Sequence, residues 1–298
     1  MRIRKLAAID IGSNAIRLLV QNVIEAPGKP VQFNKSALIR VPVRLGEDSF
    51  LRGCISEANA GRIRDTLQAF ALLMQVGGVE RYRACATSAI REAGNGEAVL
   101  EAAARDTGIR VERIDGQEEA TIIASAGLGH LLEQDTALLY VDVGGGSTEY
   151  TLFTEGRVRA SRSFRIGTVR QLGGKVPEGE WEALERWLRL ETGALPGIRI
   201  VGSGGNINKL YKLSQRRGGR PLSYSWLVRY ERFLRGMSYE ARVAELGLNP
   251  DRADVILPAA RIYLRSCSWS GARWIHVPQI GLSDGLIRDL YQREFAGK

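Results

Sequence analysis

Asp142-Val143-Gly144-Gly145-Gly146-Ser147-Thr148-Glu149 closes one apolar run, Leu138 to Val143, and leads into another, Tyr150 to Phe153. The pattern reads as a strand that delivers an acid to its end, a glycine turn, and a strand that leaves. A hairpin needs one or two glycines at positive φ, so the third does nothing for the turn alone. Glycines here let backbone N–H groups close on an anion, while the Asp can hold a hydrated cation beside it. The chain opens on the same device. Leu6 to Ile11 carries Asp10 into Asp10-Ile11-Gly12-Ser13-Asn14, and Ile16 to Val20 leads away. By itself this turn is ordinary turn chemistry, since Asp, Gly, Ser and Asn populate any tight turn. Its repetition around a triple glycine points to one phosphate-gripping unit used twice.

A third glycine turn, Gly202-Ser203-Gly204-Gly205-Asn206, lies between a strand reading (Ile198 to Val201) and a helix reading (Ile207 to Leu213). Helix N-terminal N–H groups placed there can receive an anion. A nucleotide phosphate loop ending at Lys209 is excluded, because Leu210 stands where that motif needs Ser or Thr.

The rest of the chain reads as strands alternating with helices, an α/β order. Ser56 caps a helix with Ile63, Leu67, Phe70 and Met74 on one face, and Gly77-Gly78 ends it. Arg81 to Thr87 is a strand, Ser88 starts a short turn carrying Arg91, Glu97 to Thr107 is a helix, and Ile109 to Ile114 a strand. Gly116 opens a helix through Glu118, Glu119, Ile122 and Ile123. Beyond the second hairpin, Gly156 to Ser163 completes a meander, Glu178 to Glu191 is a helix, Arg252 to Leu264 a helix, and Trp274 to Val277 a strand. Ser283 caps the last helix. The expected division is two domains, 1–128 and 129–298, with the last helix free to pack back on the first.

The 298 residues carry 42 Lys and Arg against 33 Asp and Glu, a net charge of +9 dominated by arginine. Arginine favours bidentate binding of phosphate oxygens, so a polyanionic ligand is one reading, and a merely soluble basic surface is its equal. Few aromatics and no nucleic-acid signature argue against nucleic acid as partner. No apolar stretch approaches a membrane span, which excludes a membrane partner of that kind and predicts a soluble protein. The basic start, Met1 to Ala8, reads as a first strand, since Asp10 interrupts it before a signal sequence is long enough. Cys54, Cys85 and Cys267 are widely spaced and odd in number, which predicts buried thiols in a reducing cytoplasm. His130 and His276 lack zinc-ligand spacing and are expected to be structural.

Glu118-Glu119 begins a helix, where its dipole favours carboxylates. Successive helical residues point about 100° apart, so one of the two can face a site while the other is solvated. Arg17 and Arg91, taken singly, read as surface arginines.

The segments Ala8 to Asn14, Ser88 to Arg91, Gly116-Gln117-Glu118-Glu119-Ala120, Val141 to Glu149 and Gly202 to Asn206 together resemble the exopolyphosphatase and guanosine pentaphosphate phosphohydrolase family, in its order. The resemblance implies a two-domain, duplicated ribonuclease-H-like α/β fold, shared with actin, sugar kinases and Hsp70-type chaperones, with an active site in the interdomain cleft. It makes Glu119 the carboxylate that orients or deprotonates water, with Arg91 gripping the phosphoryl group and Glu149 completing the catalytic set. It implies Mg²⁺ organised by Asp142 and Glu149 near Asp10. Phosphates are then bound by Gly12, Ser13, Asn14 and Arg17, by Gly144, Gly145, Gly146 and Ser147, and by Gly204 and Gly205. Ala15-Ile16-Arg17 departs from the family's usual small-aromatic continuation, and the chain matches the short form, without an HD-type C-terminal region. The substrate implied is inorganic polyphosphate or guanosine pentaphosphate. The basic loop Arg216-Arg217-Arg220 is a candidate grip on a distal part of the chain, and a homodimer is left open. A small-molecule kinase on the same fold, or a non-catalytic polyphosphate or alarmone sensor, are the competing readings. Neither matches an acid pair at Glu118-Glu119 as well as a hydrolase does.

Overall fold

A computed structural model describes residues 1–125, 137–216 and 219–296. His130, Arg217 and the expected domain boundary at 128 lie outside the described residues. The chain divides into two compact units, Met1–Gly127 with Gly281–Lys298, and Leu128–Ile280.

In the first unit β1 (Arg2–Ile11), β2 (Ala15–Glu25) and β3 (Gln32–Pro42) form an antiparallel meander. Then β4 (Arg81–Ala86) and β5 (Glu112–Arg113) add in parallel, giving the order β3-β2-β1-β4-β5. Central β1 is buried almost without alternation from Leu6 to Ile11, as expected of a strand covered on both faces. Helices α1 (Leu45–Arg52), α2 (Glu57–Val76), α3 (Ser88–Glu92), α4 (Gly96–Thr107) and α5 (Gly116–Ser125) accompany this sheet. The expected Ser56 cap is present, its hydroxyl accepting from Asn59 N at 3.3 Å.

The second unit repeats the plan. Here β6 (Leu138–Val143), β7 (Thr148–Thr154) and β8 (Arg157–Phe164) form the meander. Then β9 (Arg199–Ser203) runs parallel to β6, and β11 (Trp274–His276) parallel to β9, with β10 (Leu222–Ser223) at the edge. Both meanders even carry a bulge at the same remove from the leading Asp, at Val20/Gln21 and at Leu152/Phe153. The helices are α6 (Thr168–Leu172), α7 (Glu180–Thr192), α8 (Gly205–Leu213), α9 (Tyr224–Gly236), α10 (Tyr239–Ala244), α11 (Pro250–Ala253) and α12 (Ile256–Ser270). The fold is the duplicated ribonuclease-H-like α/β architecture.

The last helix, α13 (Leu282–Glu294), groups with the first unit; the sequence reading counted it within 129–298 while leaving it free to pack back on the first domain. Its contacts explain the grouping. Gln21 Nε2 donates to Asp284 at 3.0 Å, and Lys35 lies 3.1 Å from the same carboxylate. Gly285 brings α13 onto α5, because a Cβ there would stand 2.3 Å from the Ile122 carbonyl.

Several elements differ from the sequence reading. The helix expected over Arg252 to Leu264 is two, α11 and α12. Pro258 has no N–H for the Asp254 carbonyl, and Arg242 Nη1 takes the Ala253 carbonyl at 3.1 Å instead. The N-cap of α13 is Gly281, not Ser283, with Gly281 N donating to Asp284 at 3.1 Å. The strand expected over Ile109 to Ile114 is reduced to β5. Cys54 is exposed rather than buried, while Cys85 and Cys267 are buried, and burial pushes both of those thiols up to about 12.

Gly285→Ala should lower the apparent melting temperature by the equivalent of about 1–3 kcal/mol, because α5 and α13 must part. Gly61→Ala, in open space within α2, should instead raise stability by about 0.5–1 kcal/mol. Thermal unfolding followed by circular dichroism reads both.

Candidate active site

Each unit presents its hairpin turn at the end of its central strand, and the two turns close alike. Gly12 N donates to Ala15 O at 3.1 Å, and Gly144 N to Ser147 O at 3.0 Å. In register, Asp10 faces Arg17 and Asp142 faces Glu149. The device is therefore shared, but the residue opposite the Asp has opposite charge in the two units.

In the first unit Arg17 Nη1 lies 2.6 Å from Asp10 Oδ2, with Asp10 buried and the Arg17 side chain 31% exposed. The residues read as a metal ligand and a phosphate grip are thus held to one another. Ser13 Oγ meets Ser88 Oγ at 3.0 Å in a buried contact, and Thr87 N donates to Ile11 O at 3.1 Å. The first turn and the Thr87-Ser88 segment are one structure. The carbonyls of Ser13 and Asn14 accept from Gly46 N at 2.8 Å and from Val43 N and Arg44 N at 3.2 and 3.0 Å, which fixes the approach to α1.

Arg91, at the end of α3, donates through Nη1 to Ile114 O at 2.8 Å. The next residue, Asp115, caps α5, its Oδ1 accepting from Gln117 N at 2.9 Å and Glu118 N at 2.7 Å. Arg91 is thereby tied to the entry of the helix that bears Glu119. Glu118 is exposed, as expected, and its carboxylate also lies 3.2 Å from Arg83 Nη2. Arg83 is a buried hub. It also reaches Glu112 at 2.7 Å and Asp289 at 2.6 Å. Burial alone would lower the guanidinium's pKa, but the Glu112 hydrogen bond and the nearby charges of Glu112 and Asp289 hold it above the ordinary arginine value. Glu119, one residue on, is half-buried and points to another side of α5.

In the second unit Glu149 is buried, and its Oε1 accepts from Ser147 Oγ at 2.5 Å and Ser163 Oγ at 3.1 Å. The triple glycine has a packing role that the sequence did not disclose. Gly144 O accepts from Thr168 N at 3.0 Å, and Gly145 O from Val169 N and Arg170 N at 2.9 and 3.1 Å. Buried Arg170 adds Nε to Gly146 O at 2.8 Å. A Cβ on Gly167 would sit 2.2 Å from Gly145 O, so the start of α6 lies directly on the turn. With the carbonyls turned toward α6, the amides of Gly145, Gly146 and Ser147 meet no acceptor among the described residues, although all three residues are buried. The three amides form a concavity of backbone donors, a geometry that suits an anion.

Gly204, at φ +104°, presses its backbone against the end of β6. A Cβ there would lie 3.0 Å from Val143 O and 3.1 Å from Asp142 Oδ1. Asp142 and the N-terminus of α8, at Gly204 and Gly205, are thus neighbours. Buried Tyr263 on α12 holds the strands beneath them, its hydroxyl lying 2.6 Å from Ser203 O and 3.1 Å from Val141 O. These are the residues just before Gly204 and Asp142. Burial, then the charge of Asp142, pushes the Tyr263 hydroxyl's pKa well above the ordinary range, so it stays a neutral donor. The sequence reading missed Ser163, Gly167, Arg170 and Tyr263. Gly167-Thr168, a glycine before a short helix, was the one visible signal.

Residues 31–294 match the Ppx/GppA phosphatase family. The chain belongs to that family. Exopolyphosphatase 2 of Mycobacterium tuberculosis is 31% identical over 285 residues, covering 86% of this chain and 88% of that protein. The guanosine-5'-triphosphate,3'-diphosphate pyrophosphatase of Aliivibrio fischeri is 33% identical over 168 residues, 56% of this chain but 33% of that protein. The crystal structure of the Aquifex aeolicus Ppx/GppA family member superposes with a TM-score of 0.76 at 26% identity, over 99% of both chains. As a Ppx/GppA phosphatase the chain is a hydrolase of the exopolyphosphatase type, acting on phosphorus-containing anhydrides.

Tyr263→Phe removes the donor shared by Val141 and Ser203. It should cost about 1 kcal/mol of stability, read by thermal unfolding, and phosphate release should fall several-fold as Asp142 and Gly204 lose their common brace. Unchanged phosphate release would make Tyr263 a purely structural residue.

Proposed function

We propose that this Ppx/GppA phosphatase removes terminal orthophosphate from inorganic polyphosphate or guanosine pentaphosphate with the help of Mg²⁺. The observation that supports this most is the second hairpin, where two facing carboxylates adjoin a concavity of backbone amides. Like charges directly opposite each other across a hairpin are destabilising, and Ser147 and Ser163 both donate to Glu149. Among the described residues no group of three His, Cys, Asp or Glu is placed to hold a metal ion. Mg²⁺ does not require one, since it is held by one or two carboxylates with water and substrate phosphates filling the remaining positions. Asp142 and Glu149 would hold it, and bound Mg²⁺ would offset the charge of the phosphate oxygens. Asp10, already paired with Arg17, is the weaker candidate ligand.

The reaction needs one water placed in line with the terminal phosphorus. The water oxygen forms the new P–O bond, the bridging anhydride bond breaks, and the shortened chain leaves with the bridging oxygen. We assign Glu119 to orient that water and accept its proton, and Arg91 to hold the phosphoryl oxygens. The amides of Gly145 to Ser147 and of Gly204 and Gly205 donate to the charge that develops on those oxygens. Gly12, Ser13 and Asn14 are assigned to the phosphates from the first unit. The free cysteines suit a reducing cytoplasm, and no helix among the described residues is long and apolar enough to cross a membrane.

Glu119→Gln should slow phosphate release on the order of 10²- to 10⁴-fold with polyphosphate binding retained. Glu118→Gln, which alters only the Arg83 cluster, should be far milder. Phosphate release by both variants, beside their binding of polyphosphate, checks the assignment, and a dead Glu118→Gln with an active Glu119→Gln would reverse it.

Asp142→Asn should raise the Mg²⁺ concentration for half-maximal phosphate release. It should also abolish most of any Mg²⁺-induced rise in the melting temperature. A variant with the parent's metal dependence would move the metal away from the second hairpin.

A further inference from the structure

The three amides of the second turn are aimed by the carbonyls that precede them. In a trans peptide the C=O and the N–H of one plane point in opposite directions, so whatever holds one residue's carbonyl sets the direction of the next residue's N–H. Gly144 O accepts from Thr168 N at 3.0 Å, which aims the Gly145 amide. Gly145 O accepts from Val169 N and Arg170 N at 2.9 and 3.1 Å, which aims the Gly146 amide. The third plane is held differently. No main-chain donor reaches Gly146 O among the described residues, and the side chain of Arg170 takes it instead, Nε to O at 2.8 Å. The Ser147 N–H therefore depends on a side chain that a substitution can remove while both main-chain locks stay in place.

Burying an arginine is unfavourable for a packing contact alone. Arg170 is 3% exposed, and its guanidinium keeps its charge in any surroundings. A neutral amide or hydroxyl would satisfy a carbonyl equally well. What the charge adds falls on the peptide, because a cationic donor on the carbonyl polarises the plane and strengthens the N–H at its other end. That N–H belongs to Ser147, whose hydroxyl donates to Glu149 at 2.5 Å and whose carbonyl closes the turn by accepting from Gly144 N at 3.0 Å. One peptide plane thus joins the concavity of amides to the facing carboxylates, and Arg170 holds its far side. We propose that Arg170 is a positioning residue for hydrolysis, which aims and polarises the Ser147 N–H toward the oxygens of the phosphoryl group being transferred. The proposal rests on the reading of this concavity as the phosphoryl site, and adds to it a residue that acts on the substrate only through this peptide.

The test compares Arg170→Met, which keeps much of the length and loses both donor and charge, with Arg170→Lys, which keeps the charge. A donor that matters most as charge develops is lost from kcat rather than from KM. For Arg170→Met, kcat for phosphate release should fall about 10- to 100-fold, a smaller loss than deleting an oxyanion donor outright, with KM changed by less than about threefold. Arg170→Lys should recover part of that loss. The deciding measurement needs no turnover: amide spectra of protein with isotope-labelled glycine and serine are recorded as inorganic phosphate is added with Mg²⁺. In the parent the resonances of Gly145, Gly146 and Ser147 should move. In Arg170→Met the response of Ser147 should be largely lost while those of Gly145 and Gly146 persist, since the main chain of α6 still holds their planes. Melting temperature checks the fold, and Arg170→Lys carries the same spectra should the methionine variant misfold.

An equal loss at all three amides overturns the proposal, because Arg170 then only packs α6 against the turn. So does an unchanged kcat in Arg170→Met, or a rise in KM with kcat unaltered. A parent whose three amides do not answer to phosphate sinks the phosphoryl reading of the concavity, and the proposal with it. A parent that responds at all three, beside a variant whose Ser147 responds as fully, sinks only the part given to Arg170.

Discussion

Asp142 and Glu149 face each other across the second hairpin, and most of what surrounds them serves to keep two acids where two acids repel. Ser147 and Ser163 donate to Glu149, Tyr263 braces the residue before Asp142, and Gly204, lacking a Cβ, lets its backbone lie close against the Asp142 carboxylate. The first unit shows the same hairpin in its relaxed form, because Arg17 stands where the second unit has Glu149 and neutralises Asp10 directly. Duplication supplied two copies of one turn, and a change of charge at one cross-strand position separates a hairpin closed by an ion pair from one in which two acids face each other.

The glycines of the second turn do two jobs with one geometry. Their carbonyls receive the first turn of α6, which packs at Gly167 closer than any side chain would allow, and this orients the amides the other way. The concavity of amides and the packing of α6 are therefore inseparable, and the packing holds the three glycines in one geometry. Arg83 does comparable service in the first unit. Through Glu112, Glu118 and Asp289 it ties the starts of β5 and α5 to the last helix.

The hairpins, the central strands and the cap of α2 were legible because each is specified locally, by an apolar run ending on turn residues or by a hydroxyl at a helix start. The third strand, β3, was not anticipated. It is an exposed edge strand, Gln32 to Pro42, with polar and basic residues at positions where a core strand would alternate. The same edge chemistry on β8, with Arg157, Arg159 and Arg162, accounts for part of the positive charge without any ligand. The pairing of Arg17 with Asp10 was hidden because antiparallel register decides it, not sequence distance. Tyr263 was hidden for a related reason, since its partners Val141 and Ser203 lie 122 and 60 residues away in sequence. Pro258 could have shown the break between α11 and α12, and the apolar periodicity of the following residues masked it.

The sheet of the first unit is finished by the last helix of the chain, which has a temporal meaning during synthesis. A nascent chain emerging in order exposes β1 to β5 first, and every residue of the second unit follows before α13 is made. Until then Arg83 is without Asp289, Gln21 and Lys35 are without Asp284, and the groove on α5 that receives Gly285 is bare. The part of the molecule that the ribosome produces earliest is the part that reaches its native state last, so a chain stalled before residue 282 would carry one complete half and one with its buried arginine short of a counter-charge.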